Sequence, residues 1–449
     1  MELSFLVLYD PGTTRLSNPP GLILPPLMYR LANMQKISRA DIEVLAPAGS
    51  YESLAAAIRA GADAVYFGAG GLNMRSASSA NFGLADLRRI VRIASGNGVR
   101  TYLTVNSTLF DDELPAMRRV LDEARSAGVS AVIVSDQAAM LYAASIGLSI
   151  HLSTQLSISN IESLRFYSAW ADVVVVAREL NLEQVSALYR KIDEDDICGP
   201  SGNRMKLEMF AHGALCMAIS GKCYLSLHQY GSSANRGECL QACRRSYRLS
   251  DMQTGDELVV DNERLMSPKD LKTIHFLDRL IDSGVRILKI EGRARKGEYV
   301  RETVSCYREA VESLFDGTYG PDKIKGWDER LASVFNRGFW DGYYLGQRLG
   351  EWTSTYGSSS GKKRVHIGVC VNYFRNAGAA SFLIEAASIR AGDELLVAGP
   401  TTGALSFIPG ELRVDDKTVD SATRGVEVSF KVDRKVRRGD MLYRMSPTR

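Results

Sequence analysis

Four of the chain's seven cysteines, Cys216, Cys223, Cys239 and Cys243, fall within 28 positions, inside "HGALCMAISGKCYLSLHQYGSSANRGECLQACRRSYR". Their spacing is C-x6-C-x15-C-x3-C. Three readings fit thiols placed this way. Four thiolates on a glycine-rich loop suffice for a [4Fe-4S] centre. Four also suffice for structural zinc, whose knuckles are usually closely spaced pairs. Only "CLQAC" (239–243) has that form, and Cys216 and Cys223 stand too far apart. The third reading is four incidental thiols, against which stands the scarcity of cysteine elsewhere. Cys198, Cys306 and Cys370 lie outside the group and read as ordinary small residues.

Arginines crowd the same stretch: Arg236, Arg244, Arg245 and Arg248, with Lys222 beside them. A second basic run, "KIEGRARKGEYVR", spans 289–301. Such cations either balance the negative charge of a thiolate cluster or hold an anion, RNA phosphates included.

Proteolytic chemistry asks for other residues. A serine protease needs a nucleophile, a histidine base and an orienting acid. No G-x-S-x-G elbow and no H-E-x-x-H pair occurs, and the histidines are only His151, His212, His228, His275 and His366. Pairing Cys216 with His212 as a cysteine protease would break the four-thiol set. His212 reads instead as a neighbour of the thiols that donates a proton, or as a structural residue.

The elements that must position these groups recur from Asp41 onward as helix, small-residue turn and short apolar strand. Strands are expected at 43–48, 63–68, 100–106, 130–135, 149–154, 172–178, 206–212 and 286–292, many after a glycine, as in "RAGADAVYF" and "SAGVSAVIV". Their nearly continuous apolar character suits a parallel sheet buried on both faces. Eight such units fit a (β/α)8 barrel; an open doubly wound sheet is the alternative. In a barrel, chemistry sits where strands end. The polar residues there are Asn73 and Arg75, Asn106, Asp136, Thr154 and Gln155, Arg178 and Glu179, His212, and Glu291 and Arg293. The four-cysteine insertion (212–248) follows the seventh strand, over the same rim.

The chain has 449 residues, 45% of them hydrophobic and 24% charged, enough for two or more domains. A net charge of +3 is too small by itself to argue for a nucleic-acid partner. Residues 1–40 carry Pro/Gly punctuation without amphipathic period, and read as a disordered extension or a start set too early, Met34 being the natural initiator. Glu2 replaces the basic start of a secretory signal, and no stretch approaches the roughly 18 to 20 apolar residues that span a bilayer. No membrane is expected, and the expected compartment is the reducing cytoplasm. The barrel is expected over 41–350, a Gly/Ser-rich linker over 351–363, and a small antiparallel β-barrel over 364–449, where β-branched runs alternate with turns such as "RAGDE".

"VLAPAGSYESLAAAIRAGADAVYFG", "EMFAHGALCMAISGKCYLS", "NRGECLQACRRSY", "KIEGRARKGEYV" and "FNRGFWDGYYLG" together resemble peptidase family U32, in order, over 43–346. The resemblance is to its tRNA hydroxylation branch, which shares the length and the C-terminal β-rich domain. It implies a [4Fe-4S] cluster on Cys216, Cys223, Cys239 and Cys243. It implies an oxygen-independent hydroxylase forming 5-hydroxyuridine at the wobble position of tRNA, with prephenate as hydroxyl source and an electron donor that the sequence does not identify. The family's collagenase-like protease label is the alternative, and a non-catalytic RNA-binding iron–sulfur protein is a third reading. Under the resemblance, Arg75, Arg178 and Arg293 are expected to hold the carboxylates of prephenate, with Asn106 and Gln155 beside them. His212, Glu208, Glu179 and Glu291 are the acid/base candidates, and Arg244, Arg245 and Arg248 the RNA phosphate contacts.

Overall fold

Eight short apolar runs become eight strands: β1 (Glu43–Pro47), β2 (Ala64–Gly68), β3 (Arg100–Val105), β4 (Ala131–Val134), β5 (Ile150–Leu152), β6 (Val173–Val175), β7 (Lys206–Ala214) and β8 (Val285–Ile290). Each pairs in parallel with the next, and β8 pairs with both β7 and β1, so the sheet closes on itself. Closure decides for the (β/α)8 barrel over the open sheet. The computed structural model describes residues 37–76, 82–245, 249–250, 252–255, 257–258, 266–347, 350–353 and 358–447. Arg248, nearly all of the expected extension (1–40) and part of the expected linker lie outside the described residues.

Local chemistry sets the helix ends. Helix α1 (Tyr51–Arg59) starts at Ser50, whose Oγ accepts from the Ser53 backbone at 3.1 Å while Ser53 Oγ accepts from the Ser50 backbone at 2.9 Å. This reciprocal cap fixes the first turn directly after β1. The helix Leu114–Ala127 ends at Gly128, left-handed at φ 78°, which turns the chain into β4.

Leu45, Ala64, Tyr66, Tyr102, Ala131, Ile133, Val173 and Ile287 pack inside the barrel as one cluster. Glu43, His151, Glu208 and Lys289 are also buried within its strands, an expensive polar content for a barrel core. Beyond the barrel, the end of β7 pairs antiparallel with Asp270–Lys272, which Phe339–Trp340 joins in parallel. The excursion carrying the cysteines therefore leaves and re-enters at one place.

The C-terminal residues form an eight-stranded antiparallel sheet. Its long strand, Lys362–Phe374, begins inside the segment expected as linker and pairs with Ala379–Ile384 and Met441–Pro447. Inward residues build a separate core in which Phe382 and Phe430 stack at 4.8 Å. The sheet docks on α1 and on the helix Gly297–Phe315, and Arg39–Arg449 forms one compact unit. Gly403 (φ 68°) lies so close to α1 that a Cβ would meet the Ala56 nitrogen at 3.0 Å. Arg301 donates to the Ala404 carbonyl at 3.1 Å, and Arg364 pairs with Glu298 at 3.1 Å.

Candidate functional site

The strand ends surround a cavity of about 240 Å3. From β2 the chain passes Gly68 to Asn73 and Arg75, and from β8 it passes Glu291 to Arg293. Arg293, only 5% exposed, donates to Asn73 Oδ1 at 2.9 Å and to Thr104 Oγ1 at 2.7 Å. That placement needs a glycine at 68, because a Cβ there would meet Asn73 Nδ2 at 2.7 Å and Arg293 Nη1 at 2.8 Å. Burial brings the Arg293 guanidinium down to about 10, against the pull of Tyr66 and Glu291.

Arg75 pairs with Glu291 at 3.0 Å. Burial alone would raise the Glu291 carboxyl, but Arg75, Arg178 and Arg293 together hold it at about 2. Glu291 is thus a fixed anion, and Arg75 is pulled above its usual range chiefly by that carboxylate. Across the cavity, Asn106 Nδ2 donates to Ser153 Oγ at 3.1 Å and to Gln155 Oε1 at 3.0 Å, while Gln155 Nε2 returns a bond to the Asn106 carbonyl at 2.5 Å. This wall is rigid and polar.

Two guanidiniums are differently held. Arg178 lies over the Phe210 ring at 3.8 Å, donates one long bond of 3.4 Å to the Ala214 carbonyl, and buries an Nε that has no hydrogen-bond partner. Arg295 lies over the Phe335 ring at 3.6 Å. Among the described residues neither is ion-paired to a carboxylate.

The insertion covers the cavity and brings all four thiols, Cys216, Cys223, Cys239 and Cys243, to its wall. All are free, and Cys216 is exposed. Burial pushes the Cys243 thiol up to about 11 against the pull of Arg244, and the other three thiols act on it in the same sense as burial. The four therefore share one field. Gly237 (φ 87°) packs the insertion on the rim, where a Cβ would meet the Asn73 carbonyl oxygen at 2.2 Å. Arg236 binds Glu113 through both its Nη atoms, each at 2.8 Å. Among the described residues, no group of three or more His, Cys, Asp or Glu side chains could hold a metal ion. Tetrahedral zinc draws its sulfurs within about 2.3 Å of one ion.

Several expected residues take other roles. His212 is 1% exposed and packs on Tyr299, Tyr307 and Phe339, off the cavity wall. The β7–β8 register shifts between Lys289↔Phe210 and Ile290↔His212, which turns His212 onto the outer helix. Burial, with Lys272 and Arg295 adding to it, brings its imidazole down to about 3, so it stays neutral and is a poor proton donor. Glu208 is fully buried below the cavity, 2.6 Å from Lys289 and 3.4 Å from His151. Burial pushes its carboxyl up, but Lys289 and His151 outweigh burial and keep it ionised. Glu179 is exposed and off the wall. Arg244 is spent inside the fold, donating to Ser267 Oγ at 2.9 Å, the Pro268 carbonyl at 2.6 Å and the Leu215 carbonyl at 2.6 Å. Arg245 is exposed and lies over Tyr230 at 4.9 Å. Arg295, within the basic run 289–301, and Arg337, marked in the sequence only by its place in "FNRGFW", also line the cavity.

Fold and site define a (β/α)8-barrel protein whose rim cavity is lined by four cysteines and by guanidiniums. The chain belongs to Peptidase family U32, whose profile matches residues 49–354. Over 404 residues it is 55% identical to a Porphyromonas gingivalis protein named collagenase, covering 90% of this chain and 98% of that one. It is 29% identical over 425 residues to tRNA hydroxylation protein P1 of Bacillus subtilis, covering 92% and 97%. It is 38% identical over 284 residues to the 23S rRNA 5-hydroxycytidine C2501 synthase of Escherichia coli, covering 62% of this chain and 41% of that one.

Proposed function

We propose that the protein is an iron–sulfur RNA hydroxylase of family U32, acting on tRNA to form 5-hydroxyuridine at the wobble position without oxygen, with prephenate as the source of the hydroxyl. The observation that carries the reading is one cavity lined by four thiols and seven cations, against a single lining carboxylate, Glu291. Cys216, Cys223, Cys239 and Cys243 would hold a [4Fe-4S] cluster, which supplies the one-electron chemistry that side chains lack. The charges support an anionic co-substrate. Seven cations line the cavity against Glu291, and two of them, Lys289 and Arg337, are paired with Glu208 and Asp270 behind the wall, which leaves the cavity positive.

The resemblance pointed to Arg75, Arg178 and Arg293 as carboxylate holders. With Arg75 tied to Glu291 and Arg293 to Asn73 and Thr104, the open forks are those of Arg178 and Arg295. Each lies over an aromatic ring, at 3.8 and 3.6 Å from the centroid, a contact that restrains the guanidinium before the ligand arrives.

The relatives named collagenase favour a peptidase as the second reading. Against it, among the described residues no histidine is hydrogen-bonded to a serine or cysteine, and His151, His275 and His366 instead face carboxylates. Iron and acid-labile sulfide should be measured after anaerobic isolation, for the native chain and for Cys239→Ala. Iron and sulfide bound by the native chain and lost in the variant are expected. Mass spectrometry of tRNA from a deletion strain complemented with each form should show the wobble modification restored only by the native chain. Peptide cleavage that survives Cys216→Ala, with tRNA unchanged on deletion, would establish the peptidase instead.

A further inference from the structure

The insertion carries a pattern that cluster binding does not require. Three of its cysteines are each followed by a large apolar residue turned to solvent: Met217 is 45% exposed, Tyr224 79% and Leu240 44%. Ile219 and Tyr230 are exposed beside them. The thiols line the cavity, as does Met217, and the exposed apolar residues of 217–240 form a collar on the insertion that covers it. The collar is held in place, because Ser226 Oγ, on the short helix Leu225–Tyr230, accepts from the Leu240 backbone at 3.1 Å. Isolated exposed apolar residues mean little, but contiguous ones mark a contact surface.

We infer that this collar is a stacking platform for unpaired nucleotides flanking the one that enters the cavity. The inference rests on the RNA reading above and adds to it the single-stranded form of the substrate and the side chains that read it. A cavity of about 240 Å3 is far too small for a duplex. A base that reaches it must leave its stack, and its neighbours then lose a face. Exposed tyrosine rings restore that face for any base. The border of the collar is complementary to a polyanion. With Arg236 paired to Glu113 and Arg244 spent inside the fold, Lys222 and Arg245 are the exposed cations of residues 213–245, against one acid, Glu238. Arg245 also lies over Tyr230 and bonds its hydroxyl, a cation and ring together on the insertion.

The test uses the full chain, isolated anaerobically, with a fluorescent RNA hairpin whose loop contains uridine, and the same strand fully duplexed. The hairpin should bind more tightly than the duplex. Tyr224→Ala should weaken the hairpin about tenfold and leave the duplex unchanged. Tyr224→Trp should restore binding, since a ring and not a hydroxyl is required. The salt slope should be unaltered in Tyr224→Ala, because no phosphate contact is lost, whereas Lys222→Ala should reduce it by about 0.7 to 0.9. Iron content equal to the native chain's would show that the insertion is intact. Native affinity of Tyr224→Ala for the hairpin, or equal loss on hairpin and duplex, would overturn the platform while leaving the RNA reading in place. Retained RNA affinity together with slowed reduction by a protein electron donor would also overturn it, and assign the collar to that partner. A native chain that binds neither RNA would remove the RNA reading itself, and the platform with it.

Discussion

Replacing Lys289 by methionine isolates the most costly interaction inside the barrel. Lys289 is 5% exposed, and its Nζ lies 2.6 Å from Glu208, which is wholly buried. The substitution keeps the volume but strands the carboxylate with only His151, 3.4 Å away. Removing one member of a buried pair costs about 3 to 5 kcal/mol. The family-matched segment of roughly 300 residues has an unfolding entropy near 0.6 kcal/mol per degree, so Tm should fall by about 5 to 8 °C. The pH dependence has a definite sign. In the native chain Lys289 and His151 outweigh burial and hold the Glu208 carboxyl below its ordinary value. That contribution is complete above the unfolded carboxylate value, near 4.3, and is lost as pH falls through the lower folded one. In the variant, burial dominates, the carboxyl rises, and acid relieves the penalty. The Tm gap should be widest near pH 7 and close toward about pH 4. A Glu208→Gln, Lys289→Met double variant should recover most of the loss at pH 7. Calorimetry across that range tests this; a gap independent of pH, or no gap at all, would refute the argument.

Gly68→Ala should leave the barrel folded, at a cost of about 1 to 3 kcal/mol from overpacking, but displace Arg293 from Asn73 and Thr104. Loss of modification activity with retained iron is the expected outcome, and full activity would contradict the close fit. Arg178→Lys keeps the charge and removes the fork, so affinity for a small dicarboxylate, measured by calorimetry, should drop about tenfold; unchanged affinity would remove Arg178 from the ligand site. Arg364→Ala deletes the pair with Glu298 and the contact over Tyr443 at 4.6 Å. It should cost about 2 kcal/mol and separate barrel and sheet into two melting transitions; one unshifted transition would show that Arg364 does not couple them.

The barrel was legible because a closed parallel sheet is buried on both faces and writes each strand as an apolar run. All eight were found, although β5 and β6 are only three residues long and their expected ends overran. The rim was legible for the same reason, since a strand end marks a position over the axis. Which rim side chains look into the cavity was not. His212 depends on a one-residue slip between β7 and β8, which no periodicity encodes. Glu208 looked like an acid for catalysis, yet its partner Lys289 lies 81 residues on. Arg244, counted as an RNA contact, is consumed by Ser267, Pro268 and Leu215, contacts that depend on how the excursion returns.

That return shapes how the thiol-bearing segment was free to evolve. His212 pairs with Lys272 and Ala214 with Asp270, so the two feet of the excursion, the end of β7 and the strand Asp270–Lys272, are hydrogen-bonded to each other before any ligand is bound. Bringing its ends together is settled by the barrel's own hydrogen bonds. Doubling the intervening length would then add only about 0.6 kcal/mol of closure entropy. The segment can be lengthened, shortened or rewritten with little effect on the scaffold, while its cysteines stay anchored over the same opening. In this architecture the thiol-bearing excursion is a graft on a stable pedestal, and its sequence can change without re-laying the strands beneath it.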